Sequence, residues 1–188
     1  MTNPSPDPLD APTAALAAAV LEIARHVEGE PLAAPRWFAL ANGAQLLTQQ
    51  PGLAALLGEE SAAVMAGDEL QLISIELDET ADADSADPLR ALAHVEWPEM
   101  AAGGVLACDL APEQWSVRED DGPSAATPGA VSAHGKGGTG PLRIVVGALE
   151  DGTTWSALQR DGDQQYTLGA ALLPDLTAAL LESLQPAS

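Results

Sequence analysis

The stretch that most constrains the fold is residues 142–159. It holds two runs rich in apolar and β-branched residues, 142–149 and 153–159, on either side of a turn that contains Asp151-Gly152. An Asp-Gly pair between two such runs is typical of a β-hairpin, because glycine accepts the backbone conformation of a tight turn. A second turn follows, and Gln164 to Leu168 predicts a third strand. This part of the chain therefore predicts an antiparallel β-meander.

Two amphipathic helices flank the rest of the chain. The first is predicted from Thr13 to Glu28, with Gly29 as its C-terminal stop, and the second begins at Pro174. Apolar residues recur at intervals of three or four in each, which places them on one helix face. These stripes are Leu16, Val20, Ile23 and Val27 in the first helix, and Leu173, Leu176, Leu180 and Leu184 in the last. Both stripes predict faces that pack on a core.

The remaining elements are shorter. Strands are predicted at 36–41, 70–77 and 105–110, a helix at 44–50, a helical turn at 51–57 and a helix at 88–95. This order predicts the α+β class, an antiparallel sheet with the late β-meander and helices packed mainly on one face. We expect a disordered leader at 1–8 and a single domain over 9–185. We expect a solvated loop at 80–87 and a low-complexity insertion loop at 119–141.

The charge of the chain limits its partners. It has 28 Asp and Glu against 7 Lys and Arg, a net charge of −21, yet 46% of its 188 residues are hydrophobic. We therefore expect an acidic shell around a core, with no nucleic-acid or membrane partner, since phosphate groups recruit Lys and Arg. A cationic partner is permitted. The lone Cys108, and an apolar stretch at 14–24 that is too short to span a bilayer, predict a cytoplasmic protein.

No motif in the chain completes a known catalytic or metal-binding pattern. Residues 135–140 lack the first glycine and the hydroxyl of a phosphate loop, and His94-Val95-Glu96 lacks the cysteine pair of a zinc deaminase. The acids at 82, 84 and 87, and at 161 and 163, lack the spacing of a calcium loop. Cys108, on a predicted strand, is expected to be a small buried residue. We predict no catalytic, cofactor-binding or metal-binding residue, and no cofactor.

Three segments together resemble a known family. They are RWFALANGAQLLTQQPGLA at 36–54, VEWP at 95–98, and RIVVGALEDGTTWSAL at 143–158 before a Leu-rich helix. The chain is similar in these segments to a family of short acidic actinobacterial proteins with no assigned function. The resemblance implies a cytosolic protein of one domain, and it supplies no catalytic residue.

The leading hypothesis for function is a non-enzymatic protein-interaction module, which binds a protein partner or a second copy of itself through a sheet face or edge. Trp97, Arg143 and Trp155 are the predicted partner-binding residues, since Trp and Arg dominate interface hot spots. Core packing is the alternative role of the two tryptophans. A small-ligand binder or an enzyme with a site of scattered residues is the second hypothesis, and an acidic decoy for a basic protein is the third.

Overall fold

The computed structural model describes residues 10–77, 87–117, 131–132, 140–170 and 172–185. The helices are α1 (Ala11–His26), α2 (Gly43–Gln49), α3 (Pro51–Leu57), α4 (Glu59–Gly67), α5 (Pro88–Leu92) and α6 (Pro174–Leu184), with a 3₁₀ turn at Pro112–Gln114. The strands are β1 (Arg36–Asn42), β2 (Leu72–Glu76), β3 (Ala101–Leu110), β4 (Ser116–Val117), β5 (Val131–Ser132), β6 (Leu142–Leu149), β7 (Thr154–Arg160) and β8 (Thr167–Gly169).

Six of the strands form one antiparallel sheet in the order β2-β1-β3-β6-β7-β8, and β4 pairs separately with β5. The predicted hairpin is confirmed: β6 and β7 pair in one continuous register that sets Ile144 opposite Leu158. Strands β6, β7 and β8 are neighbours in the order of the chain, which confirms the predicted meander. The α+β class and the antiparallel sheet are confirmed with it.

The helices lie on both faces of the sheet, which differs from the prediction that they pack mainly on one. Helix α1 covers the face that carries Val105 and Val145, and helices α5 and α6 cover the face that carries Leu106 and Ile144. The reason is that β3 and β6 lie in the middle of the sheet and are apolar at consecutive positions. Consecutive residues point to opposite faces of a sheet, so helices on both faces are required to shield the apolar side chains of these strands from water.

The two predicted helical stripes are confirmed. Leu16, Val20, Ile23 and Val27 of the first stripe are each at most 2% exposed and pack on the sheet. The second stripe packs on the opposite face, where Leu173, Leu176, Leu180 and Leu184 are each at most 7% exposed. Helix α1 begins two residues earlier than predicted, with Pro12 in its first turn. It ends before Gly29, which has a φ of +82°. A left-handed residue of this kind ends a helix, and glycine adopts it without steric cost.

The region between β1 and α5 contains a helix that the sequence analysis missed. Residues 51–57 form the expected helical turn, but residues 59–67 form α4, and β2 is shorter than the predicted strand. The helices α2, α3 and α4 contact one another beside the β1–β2 edge. We call residues 43–70 the helical extension.

A second difference lies inside the predicted insertion loop. Val131 and Ser132 form β5, where the Val131 N–H donates to the carbonyl of Leu172 at 2.7 Å and its side chain is buried. The rest of 119–139, the leader at 1–8 and residues 80–86 of the expected solvated loop lie outside the described residues, so these predictions stay untested, as does the single domain over 9–185.

Among the residues that the structure describes, no helix is both long enough and apolar enough to cross a membrane.

Candidate functional site

Trp97, the first predicted partner-binding residue, is half-buried against the core on the α6 face of the sheet. Its indole N–H donates to the Ser183 hydroxyl at 3.1 Å, and its ring meets that of Trp37 edge-on, with centroids 6.4 Å apart. The ring also lies over Gly104 in β3. These contacts give Trp97 a packing role between the sheet and α6.

Trp155 lies on the opposite face. It is half-buried beside the core that α1 covers, and its indole nitrogen is buried without a hydrogen-bond partner among the described residues. Arg143 shares that face but pairs in register with Gln159, four residues along β7 from Trp155. Roughly 13 Å of strand therefore separates the two positions. The structure does not bring the three predicted residues to one surface, and partner binding through them stays a prediction.

Arg143 is the centre of an internal cluster of polar contacts. Its Nε and Nη2 donate to the two carboxylate oxygens of Asp109 at 2.7 and 2.9 Å. Its Nη1 donates to the carbonyl of Val27 at 2.8 Å, and Nη2 also donates to the carbonyl of Glu30. The Leu32 N–H donates to the same carboxylate at 3.0 Å. The Arg143 side chain thus connects the end of α1 and the loop that follows α1 to β3 and β6.

Tyr166 extends this cluster toward α1. Its hydroxyl lies 3.4 Å from the carbonyl of Ala24. Burial raises the pKa of Tyr166 because it disfavours the phenolate, and the guanidinium of Arg143 opposes that rise without cancelling it.

The raised pKa of Tyr166 predicts a measurable titration, because Tyr166 is the single tyrosine of the chain. We expect the tyrosinate absorbance of the folded protein to appear with a midpoint above the ordinary value of 10.0. The unfolded chain loses this proton at a lower pH than the folded protein does. The free energy of unfolding therefore falls as pH rises from the ordinary tyrosine pKa through the raised pKa of the folded state. Tyr166→Phe is the control, in which both the absorbance step and this part of the stability loss disappear. A midpoint at or below 10.0 contradicts the prediction.

Cys108 takes the structural role that its strand predicts. It is 2% exposed on the α6 face of the sheet, and burial raises the pKa of its thiol, so the thiolate is disfavoured. His26 packs edge-on against Phe38, which belongs to the α1 face. The exposed His94 has its Nδ1 3.2 Å from the carbonyl of Arg90. His134 lies outside the described residues.

The acidic candidates for a metal site lie apart. Asp161 and Asp163 are exposed in the turn after β7, and Asp82 and Asp84 lie outside the described residues. In the described part of the chain, no three His, Cys, Asp or Glu side chains are grouped so that they could hold a metal ion.

The most unusual surface of the described structure belongs to the helical extension. Helices α3 and α4 contain no buried residue. Four of the five exposed large apolar side chains in the described residues belong to this part of the chain, and the fifth is Leu168 in β8. We call these four residues the helical surface: Leu56, Leu57, Val64 and Leu70, exposed at 85%, 39%, 70% and 44%.

Carboxylates accompany the helical surface. Glu59 and Glu60 begin α4, Asp68 and Glu69 follow it, and all four are exposed. The sequence contains no Lys or Arg between Arg36 and Arg90. Within the described residues, the acid that follows these four most closely in sequence and has an ion pair is Glu76, which contacts Arg36 at 2.7 Å.

A pocket of about 240 Å³ lies beside Leu70. Its lining is mainly apolar, and the polar residues in it are Asn42, Glu69, Glu150 and Asp151. The apolar lining consists of Pro12, Ala15, Leu70, Leu72, Ala102 and Leu149. We call it the Leu70 pocket. The Asn42 side chain fixes the nearby backbone, because its amide donates to the carbonyl of Glu69 while its oxygen accepts from the N–H of Gln45.

Comparison with known families places most of the chain in one group. A family model described as PPA1309-like protein matches residues 16–185. The chain belongs to the PPA1309-like protein family. No function is assigned to that family, which confirms the uncharacterised family expected from the sequence; the actinobacterial origin stays a prediction. Neither curated proteins nor solved structures give a significant match.

The extent of the match bears on the site. The region shared with the PPA1309-like family runs from the first fully buried residue of α1 to the residue that follows α6. It therefore includes the helical extension and the helical surface. These features belong to the part of the chain that the family model describes.

Proposed function

We propose that this member of the PPA1309-like family is a non-enzymatic protein-interaction module, and that the helical surface is its binding site. The observation that carries the proposal is the concentration of exposed large apolar side chains on α3 and α4, which contain no buried residue, and at Leu70 in the turn that follows them. Exposed apolar side chains gathered in one region are typical of a docking site, whereas scattered ones are ordinary.

The layered architecture favours this surface over the faces of the sheet. Helix α1 covers one face and α5 with α6 covers the other, so a partner that binds a face would first have to displace a packed helix. A partner that binds the helical extension would not have to displace a packed helix. We also propose a cytoplasmic location, supported by the single, buried Cys108.

A separate protein fits the helical surface better than a second copy of this chain. A twofold dimer would bring the same patch of each copy together, and with it the carboxylates of α4 and the turn behind it. Like charges that face each other across an interface cost up to several kcal/mol. We therefore propose a different protein as the partner, with self-association as the outcome to be tested against it.

The proposal is tested with the double variant Leu56→Gln/Val64→Gln, which keeps side chains compatible with a helix but removes apolar surface. Wild type and variant are used as bait in lysate of the source cell, with elution by a salt gradient. We expect a protein retained in near-stoichiometric amount by the wild type and reduced at least tenfold with the variant, about 1.4 kcal/mol or more. Leu168→Gln is the control, since it removes an exposed leucine elsewhere.

Two further readouts make the result decisive. All variants should keep the free energy of unfolding of the wild type, measured by urea denaturation, within about 0.5 kcal/mol, because the changed side chains are exposed. Light scattering after size exclusion should give a monomer. A dimer that dissociates in the double variant makes the partner a second copy. Equal retention of one protein by all baits, or no specific retention by the wild type, refutes the proposed site.

A further inference from the structure

We infer that the occupant of the helical surface is a cationic amphipathic segment of the partner, and that one of its Lys or Arg side chains enters the Leu70 pocket. This inference rests on the proposed function, because it names the chemistry of the partner for the same surface. Three observations carry it: the sign of the charges, the lining of the pocket and the length of α4.

The charges around the helical surface have one sign. Glu59, Glu60, Asp68 and Glu69 are exposed, and the described part of the chain offers them no Lys or Arg partner. The surface is therefore acidic around exposed leucine and valine side chains. A partner segment with basic residues beside an apolar stripe matches both properties, whereas an acidic segment of the same apolar content is repelled.

The Leu70 pocket has the composition that a long basic side chain requires. Lys and Arg carry an apolar stem and a charged end, and they bury the stem while the charge stays in contact with water. The pocket offers apolar residues to the stem, and three acidic residues, Glu69, Glu150 and Asp151, also line it. Its volume of about 240 Å³ is below the usual range of ligand pockets, about 300–1,000 Å³, which favours a side chain over a free small molecule.

The length of α4 sets the size of the segment. Helix α4 has nine residues, with two carboxylates at its start and Leu70 shortly after its end. It therefore spans about 13 Å, which is the length of two to three turns of a partner helix. A helical segment of this length can contact the carboxylates at one end of α4 and the Leu70 pocket at the other.

The experiment uses three labelled synthetic peptides and fluorescence anisotropy with the full chain. The first is an amphipathic peptide with a leucine stripe and arginines beside it, the second has glutamates in place of the arginines, and the third is a scrambled form of the first. We expect binding of the first peptide alone, weakened as salt is added. We expect Leu56→Gln/Val64→Gln to lower its affinity at least tenfold, and Glu69→Gln/Glu150→Gln to lower it at least threefold.

The control is Asp161→Asn/Asp163→Asn, which removes two exposed carboxylates far along the sequence from the helical extension. An equal loss of affinity in this control overturns the inference, since the peptide then senses only the net charge. Equal binding of the acidic peptide would show that charge complementarity plays no part in binding. Equal binding of the scrambled peptide would show that the leucine stripe plays none, and either result overturns the inference. If none of the peptides binds while a cellular partner still requires Leu56 and Val64, the inference fails and the proposed function stands.

Discussion

Arg143→Ala should lower the free energy of unfolding by about 3 kcal/mol. The substitution removes four hydrogen bonds at once and leaves the Asp109 carboxylate without its guanidinium and the carbonyls of Val27 and Glu30 without their donor. Breaking a fully buried ion pair costs about 3–5 kcal/mol. Arg143 and Asp109 retain 15% and 30% of their side-chain exposure, so the lower end of that range applies.

Urea denaturation of the wild type and of two further variants tests this prediction. Arg143→Lys should recover only a small part of the loss, because an ammonium group cannot make the paired contacts of a guanidinium fork. Arg36→Ala is the control: its pairs with Glu76 and Glu30 are more exposed, so its loss should stay below about 1 kcal/mol. Equal losses for Arg143→Ala and Arg36→Ala would show that the cluster contributes no more than a surface ion pair.

The role of Arg143 shows where prediction from the sequence stopped. Both strands of the pair were predicted, but the register that places Arg143 beside Asp109 was not. A shift of one residue in the pairing would turn every side chain of a strand to the other face of the sheet. The sequence alone does not show which residues of β3 and β6 lie opposite each other. The sequence analysis therefore named Arg143 only as a partner-binding residue, and it did not predict the bonds by which Arg143 holds the end of α1 against the sheet.

Helix α4 shows a second limit, and for a related reason. The helices that the sequence predicted best, α1 and α6, each bury an apolar stripe, and burial is what creates the three-and-four spacing. Helix α4 buries nothing, so its alanines and acids carry no such pattern. Because α4 contains no buried residue, its sequence lacks the periodic apolar pattern and its side chains are accessible to a partner. The candidate site was therefore the part of the fold that apolar periodicity was least able to reveal.

Gly104→Ala should lower the free energy of unfolding by about 2 kcal/mol. A Cβ at this position would lie 2.4 Å from Cη2 and 2.6 Å from Cζ3 of Trp97, where no side chain can fit without movement. The indole cannot move freely, because its N–H is bonded to Ser183 and its ring meets Trp37. Gly52→Ala is the control, since nothing lies within 4 Å of its Cβ position and alanine favours a helix.

A double-mutant cycle separates this clash from a general effect of alanine in a strand. Trp97→Leu alone should destabilise the protein, because it removes the bond to Ser183 and the ring contact with Trp37. In the Trp97→Leu background, Gly104→Ala should lower the free energy of unfolding by less than about 1 kcal/mol, because the ring that would clash with the new Cβ is absent. The coupling energy of the cycle should be about 1–2 kcal/mol. A coupling energy near zero would place the cost of alanine in the strand itself. A clear coupling would establish that the missing side chain of Gly104, in the middle of the sheet, makes the room in which the Trp97 ring packs against the core.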